Sequence, residues 1–148
     1  MLQEKVSTKN APAAIGPYSQ GIKLGDFIFV SGQIPVDVNT GELVEADIEH
    51  QTRQCLKNLE AILNESGLNL SHVLKTTVFM TDLSEFTKMN EVYAEYFAEP
   101  YPTRSTVQVG ALPKGAKIEI EAYAIDTVAL EVVCSDNNVC NQKSECSD

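Results

Sequence analysis

The chain has 148 residues, enough for one domain to bury a core without disulfide or metal staples. Twenty-one acidic residues against eleven basic ones give a formal net charge of −10, a surface that repels phosphate backbones and disfavours nucleic acid as a partner. No apolar run approaches the roughly 18 residues of a membrane span, and the N-terminal stretch lacks the apolar centre of a secretory signal, so the expected location is cytoplasmic.

Leu2 to Ser7 predicts a short opening strand, and Asn10 to Gly16, with Pro12 and three alanines, predicts a loop. The following GPYSQG, residues 16–21, is held extended and turn-rich by its glycines and proline. Tyr18 within it is either a packing residue or an aromatic lid over a pocket. Ile22 to Leu24, a Gly25-Asp26 turn and Phe27 to Ser31 predict a hairpin. Its second strand is apolar on both faces, which implies burial on both sides. Ser31-Gly32 interrupts that strand, and a glycine there marks a bulge or a close approach of backbone to a ligand.

After a turn at Asn39–Gly41, Asp47 opens a helix. Ile48, Cys55, Leu56, Leu59, Ile62 and Leu63 recur at helical spacing, and Gly67 supplies a left-handed cap. Val73 to Met80 is a β-branched strand. Asp82 or Ser84 then caps a second helix carrying Phe86, Met89, Val92, Tyr93, Tyr96 and Phe97, which ends before Pro100. Asn90 and Tyr93 share a face of it, as a local hydrogen bonder or as a pocket rim. His50 and His72 are lone histidines expected at the surface.

Arg104 is one of only two arginines and precedes a strand from Ser105 to Val109. Gly110 to Gly115 is a connection. Lys117 to Ile125 then alternates strictly, with Ile118, Ile120, Ala122 and Ala124 on one face and Glu119, Glu121, Tyr123 and Ile125 on the other. If these two runs pair as a hairpin, Arg104 and the glutamates come within a few residues of one another. That is either a structural salt bridge or an anion-binding arginine beside a general base. The guanidinium fork suits a carboxylate, and a glutamate can take a proton from water.

The order of elements gives an α+β fold, with two helices on one face of a mixed sheet. Burial of the other face requires self-association, so a homo-oligomer is expected. Residues 1–130 form the single domain, and 131–148 read as a polar, flexible tail. Cys55 is a core residue. Cys134, Cys140 and Cys146 fall in the tail at spacings of six, which is no standard metal pattern.

Taken together, APAAIGPYSQG, FVSGQIPVD, VLKTTVFMTDL, FTKMNEVYAEYF, YPTRSTVQV and LPKGAKIEIEAYA resemble the YjgF/Rid family. The nearest branch is RidA, the 2-iminobutanoate/2-iminopropanoate deaminases. The resemblance runs from about Val6 to Asp126; the cysteine-bearing tail lies outside it. It implies a chorismate-mutase-like fold assembled as a homotrimer with interfacial sites. By the same resemblance Arg104 grips the substrate carboxylate, Glu119 positions the hydrolytic water and Tyr18 closes over the site. Ser31, Asn90, Tyr93 and the backbone near Thr106 line it. No metal or cofactor is implied. The implied substrates are 2-imino acids released by pyridoxal-phosphate dehydratases. The rival expectations are a non-catalytic keto-acid-binding module and a holdase-like interaction protein. RNA cleavage, attached to some relatives, is disfavoured by the acidic surface.

Overall fold

A computed structural model describes residues 2–127; the tail and its three cysteines lie outside the described residues. The elements are β1 (Gln3–Val6), β2 (Gly21–Leu24), β3 (Phe27–Gln33), α1 (Ile48–Asn64), β4 (Val73–Met80), α2 (Phe86–Tyr96), β5 (Thr103–Gln108) and β6 (Ile118–Ile125). The strands form one mixed sheet in the order β1-β2-β3-β6-β4-β5. Every pairing is antiparallel except β4 with β5. Among the described residues no helix is long and apolar enough to cross a membrane.

This topology corrects the conditional hairpin. β5 does not pair with β6; β4 lies between them. The connection from β4 through α2 to β5 is a crossover, and a helix that packs back over the sheet returns its chain as a parallel neighbour. The other edge of β4 is then open to β6, and both strands are eight residues long.

α1 starts where expected. Asp47 Oδ1 accepts a hydrogen bond from His50 N at 2.9 Å, satisfying one of the free amides of the first turn. Its apolar stripe is buried against β3 and β6, and Gly67 adopts φ +74° just beyond it. Three polar residues of α1 are buried as well, which the apolar spacing alone does not reveal. Asn58 Nδ2 donates to the carbonyls of Ile34 and Val36, Gln51 Oε1 accepts from Lys117 N, and Thr52 Oγ1 donates to Ile48 O. The bonds of Asn58 and Gln51 fasten to the helix the loop that leaves β3 and the loop that enters β6, at one end of the sheet. Asp82 caps a single 3₁₀ turn through Ser84 N, and α2 begins after it, at Phe86, without a side-chain cap.

Ile118, Ile120, Ala122 and Ala124 of β6 are all buried, as the alternation requires. β3 departs from its expectation: Phe27 and Phe29 are 51% and 42% exposed. The sheet face away from the helices is therefore open in the single chain. Phe29 meets Tyr123 edge to face there, 5.3 Å between centroids, and Lys75 sits 5.8 Å from the Tyr123 ring.

The loop before β2 is pinned by one buried side chain. Gln20 Oε1 accepts from Thr8 N, while Nε2 donates to the carbonyls of Thr8, Ala11 and Pro12. Replacement by alanine orphans those groups, each costly to bury unpaired. Gln20→Ala is expected to lower unfolding free energy by about 1–3 kcal/mol in urea titrations at fixed protein concentration; an unchanged midpoint would show that water replaces the side chain at no cost.

Candidate functional site

Arg104 is the register partner of Thr76, and Thr106 of Val78. Register partners point to the same face, so Arg104 and Thr106 lie on the helical side of the sheet, under α2. The Arg104 guanidinium carbon is 4.6 Å from the centroid of the Tyr93 ring and 5.5 Å from that of Phe86, contacts that contribute about 0.5–2 kcal/mol each depending on desolvation. Tyr93 is 5% exposed. Its hydroxyl is 2.8 Å from Thr76 Oγ1, and its ring leans on Phe97 at 4.5 Å. Burial holds the Tyr93 phenol above its ordinary pKa, opposed by the Thr76 hydrogen bond and the Arg104 charge.

The two arginines differ in kind. Arg53 is tied by both terminal nitrogens to Glu95 on the neighbouring helix. Among the described residues no carboxylate pairs with Arg104. It faces a cavity of about 430 Å³ lined also by Asn90, Tyr93, Ala94, Tyr101 and Pro102. Thr106 Oγ1, two residues along the same face, is buried with no hydrogen-bond partner among the described residues. A guanidinium that faces a cavity without a carboxylate partner is a group that an anion could satisfy; Thr106 does not line that cavity.

Glu119 is elsewhere. It pairs in register with Phe79 and alternates with the buried Ile118 and Ile120, so it projects from the sheet face opposite the helices. Its carboxylate rests against Gly32, within the irregular stretch of β3 between Val30 and Gln33. A Cβ built on Gly32 would fall 2.0 Å from Glu119 Oε1; only glycine admits that approach. Burial, and then the charge of Glu121, holds the Glu119 carboxyl above the usual carboxylate range.

Ser31 and Tyr18 belong to this second group. Ser31 Oγ donates to Ser19 O at 2.6 Å, and Ser31 N donates to Gln20 O at 2.9 Å, so Ser31 anchors the loop that carries Tyr18. Tyr18 is half exposed and shares the wall of a second cavity, about 770 Å³, with Gly32, Gln33 and Gln20.

The seven site candidates thus fall into two sets. Arg104, Thr106, Asn90 and Tyr93 gather between β5 and α2; Tyr18, Ser31 and Glu119 gather around the end of β3. The expectation that Arg104 and the glutamates stand together is not met within one chain. β4 separates their strands, and they project from opposite faces. No salt bridge joins Arg104 to Glu119 or Glu121.

The sequence reading missed Phe86 and Thr76 as neighbours of Arg104, since nothing in a strand run such as KTTV distinguishes one threonine from the next. It flagged Gly32, but the close approach there is made by Glu119. His50 is exposed as expected yet is not lone: its Nδ1 is 2.7 Å from Asp47 and 3.8 Å from Glu45.

A family model described as Endoribonuclease L-PSP matches residues 8–126. RutC family protein PH0854 of Pyrococcus horikoshii is 55% identical over 123 residues, covering 83% of this chain and 98% of its own. Reactive Intermediate Deaminase A, chloroplastic, of Arabidopsis thaliana is 52% identical over 122 residues, covering 82% of this chain and 65% of its own. The crystal structure of E. coli TdcF with bound serine superposes with a TM-score of 0.79 at 50% identity, over 83% of this chain and 98% of that one. The chain therefore belongs to the YjgF/Rid family and has its α+β fold.

Proposed function

We propose that the protein hydrolyses short 2-imino acids to 2-oxo acids and ammonia, at sites shared between copies of the chain in a homotrimer. The observation that carries this reading is Arg104: a guanidinium held by aromatic rings, facing a cavity, with no carboxylate of its own among the described residues. A relative is named a reactive intermediate deaminase, and another was crystallised with serine, itself a small 2-amino carboxylate. The two half-sites support assembly. One holds the anion-binding group and the other the carboxylate base, and within one chain they face away from each other. The exposed Phe27, Phe29 and Tyr123 give that face apolar area to bury against a second copy.

In this mechanism the substrate carboxylate docks on Arg104 by two parallel hydrogen bonds. The iminium carbon is already electrophilic. Water attacks it, Glu119 accepts the water's proton, and the C=N bond becomes a C–N single bond in a carbinolamine. The proton returns from Glu119 to nitrogen; the C–N bond then breaks as the carbinol O–H gives its proton to Glu119 and the C=O forms, and the departing ammonia takes that proton away as ammonium. Tyr18 closes over the site, excluding bulk water and strengthening the charge interactions. Atoms balance with water as the sole co-substrate. Each tenfold acceleration requires about 1.4 kcal/mol, within reach of one oriented base and one anchor. RNA cleavage, which the description of the family model suggests, fits poorly with a net charge of −10.

A coupled assay tests the reading. A threonine or serine dehydratase generates the imine, semicarbazide traps it, and the protein should lower the trapped product in proportion to its dose. Arg104→Ala should remove the effect with an unchanged fold, whereas undiminished hydrolysis would remove Arg104 as the anchor. No effect of the wild type on any precursor would favour the keto-acid-binding module.

Glu119 gives a pH signature. Its pKa is raised in the folded chain, so the base is lost as pH falls through a value above the ordinary carboxylate range. The acid limb of kcat should lie there and vanish in Glu119→Gln together with most of the turnover. Stability has the opposite sign. A raised folded pKa contributes stability below the unfolded value and loses it as pH rises through the folded one, so Glu119→Gln should melt higher than wild type at neutral pH. A lower melting temperature there would mean that the carboxylate is stabilised in its charged form.

Gly32→Ala should act on Glu119 rather than on the fold. The added methyl meets the end of a flexible side chain, so kcat should fall about as far as in Glu119→Gln while urea unfolding shifts by less than about 1 kcal/mol. Full activity in Gly32→Ala would show that the carboxylate works equally well from another rotamer.

A further inference from the structure

Tyr93 is as much a part of the Arg104 half-site as the arginine, and its polar atom already has a partner inside the protein. The residue is buried, and its hydroxyl is engaged by Thr76 Oγ1 at 2.8 Å. What Tyr93 offers the site is the face of its ring, 4.6 Å from the Arg104 guanidinium carbon. Thr76 and Arg104 are register partners on adjacent parallel strands, with side chains on the same face. The ring therefore closes a small circuit: strand β4 holds the tip of Tyr93 through Thr76, Tyr93 carries the guanidinium, and the guanidinium returns to β5 directly beside Thr76. Phe97 leans on the same ring and Phe86 adds a second aromatic face to the arginine. Among the described residues these ring contacts, and no ion pair or side-chain hydrogen bond, hold the guanidinium. Its place then depends on where the ring is held, and among the described residues the one polar tie on that ring is Thr76.

We propose that Thr76 is a positioning residue for the anion site: its hydroxyl fixes the Tyr93 ring, and the ring holds the Arg104 guanidinium with its donors directed to the cavity. Tyr93 is on this account a support for the arginine and not a ligand of the substrate. A long, flexible arginine without a carboxylate partner would otherwise sample many rotamers, and ordering it on binding would be subtracted from affinity. Holding it beforehand by an aromatic face orders the side chain while leaving its hydrogen-bond donors free, which a salt bridge cannot do.

The test uses the full chain with ¹⁵N-labelled arginine. Only two arginine Nε–H signals exist, because the sequence has two arginines, and Arg104→Ala assigns them by the loss of one. In Thr76→Val, which keeps the volume and removes the hydroxyl, the Arg104 signal should lose its ring-current shift and its heteronuclear NOE should fall, with Arg53 unmoved. Thr76→Ser should restore both. Tyr93→Phe, which keeps the ring and removes the tie, should reproduce the Thr76→Val shift, and the double variant should add nothing further. An Arg104 signal unchanged in Thr76→Val and Tyr93→Phe overturns the proposal, as does full additivity of the two; a merely structural threonine would lower the melting temperature and leave that signal where it was. A second arm rests on the proposed function and measures calorimetric affinity for 2-oxobutanoate. Thr76→Val and Tyr93→Phe should each weaken it about three- to tenfold, Thr76→Ser should not, and Arg104→Ala should abolish it. If wild type fails to bind, or Arg104→Ala binds normally, the functional reading falls while the arginine signals still decide the role of Thr76. If Arg104→Ala abolishes binding and Thr76→Val leaves it intact, Thr76 alone is wrongly assigned.

Discussion

The position of β4 between β5 and β6 decides which side chains of those two strands can meet within one chain. Side chains on neighbouring strands share a face only when they are register partners or an even number of residues from one. Arg104 is the partner of Thr76 and Glu119 the partner of Phe79, three residues apart on β4. That odd separation puts the Arg104 guanidinium and the half-buried Glu119 carboxylate on opposite faces. Nothing short of a register shift could reunite them in one protomer, and a shift of one residue would turn Ile118, Ile120, Ala122 and Ala124 out of the core.

Much of the fold is legible in the sequence because it rests on periodicity. The alternation of Lys117 to Ile125 and the apolar spacing from Ile48 to Leu63 each name a buried face, and both faces are buried as read. Gly67 and Asp47 act locally, so their roles follow from residue type. Strand order is different. Ser105–Val109 and Lys117–Ile125 look like a hairpin because they are neighbours in the chain and joined by a glycine- and proline-bearing connection. The competing pairing of β4 with both of them involves residues about thirty or more positions away, and no local signal encodes it. β3 is the converse case: its apolar residues on both faces predict burial on both sides, while the single chain buries only one.

The site divides along the same line. Residue identity marked Arg104, because an arginine is rare here, and the pair Glu119 and Glu121, because carboxylates on a strand facing away from the core are available for chemistry; the family resemblance alone singled out Glu119. What the sequence could not supply is their support. Thr76, Phe86 and Phe97 reach the arginine or the ring beneath it through the crossover and the register of parallel strands. Gly32 was readable as a close approach, but the group that approaches comes from a strand more than eighty residues on. The buried Gln20, Gln51 and Asn58 were invisible for a related reason: a buried amide looks in sequence like any polar residue, and only the carbonyls it meets show why it is inside.

The separation of Arg104 from Glu119 has an electrostatic consequence. Had the hairpin formed, the guanidinium would have lowered the carboxyl pKa and filled its own fork with carboxylate oxygens. A base so paired is weak, and an anchor so paired is occupied. Keeping the two on opposite faces lets burial and Glu121 raise the Glu119 pKa and leaves Arg104 to aromatic faces, which hold its position without consuming its donors. In the shared site proposed above, the distance between anchor and base would be set by how two rigid sheets meet and not by side chains free to collapse onto each other. A substrate carboxylate and a water could then occupy the space that a salt bridge would have closed. The interface would in that case do more than bury Phe27, Phe29 and Tyr123: it would keep two opposite charges near enough to act on one small molecule and too far apart to neutralise each other.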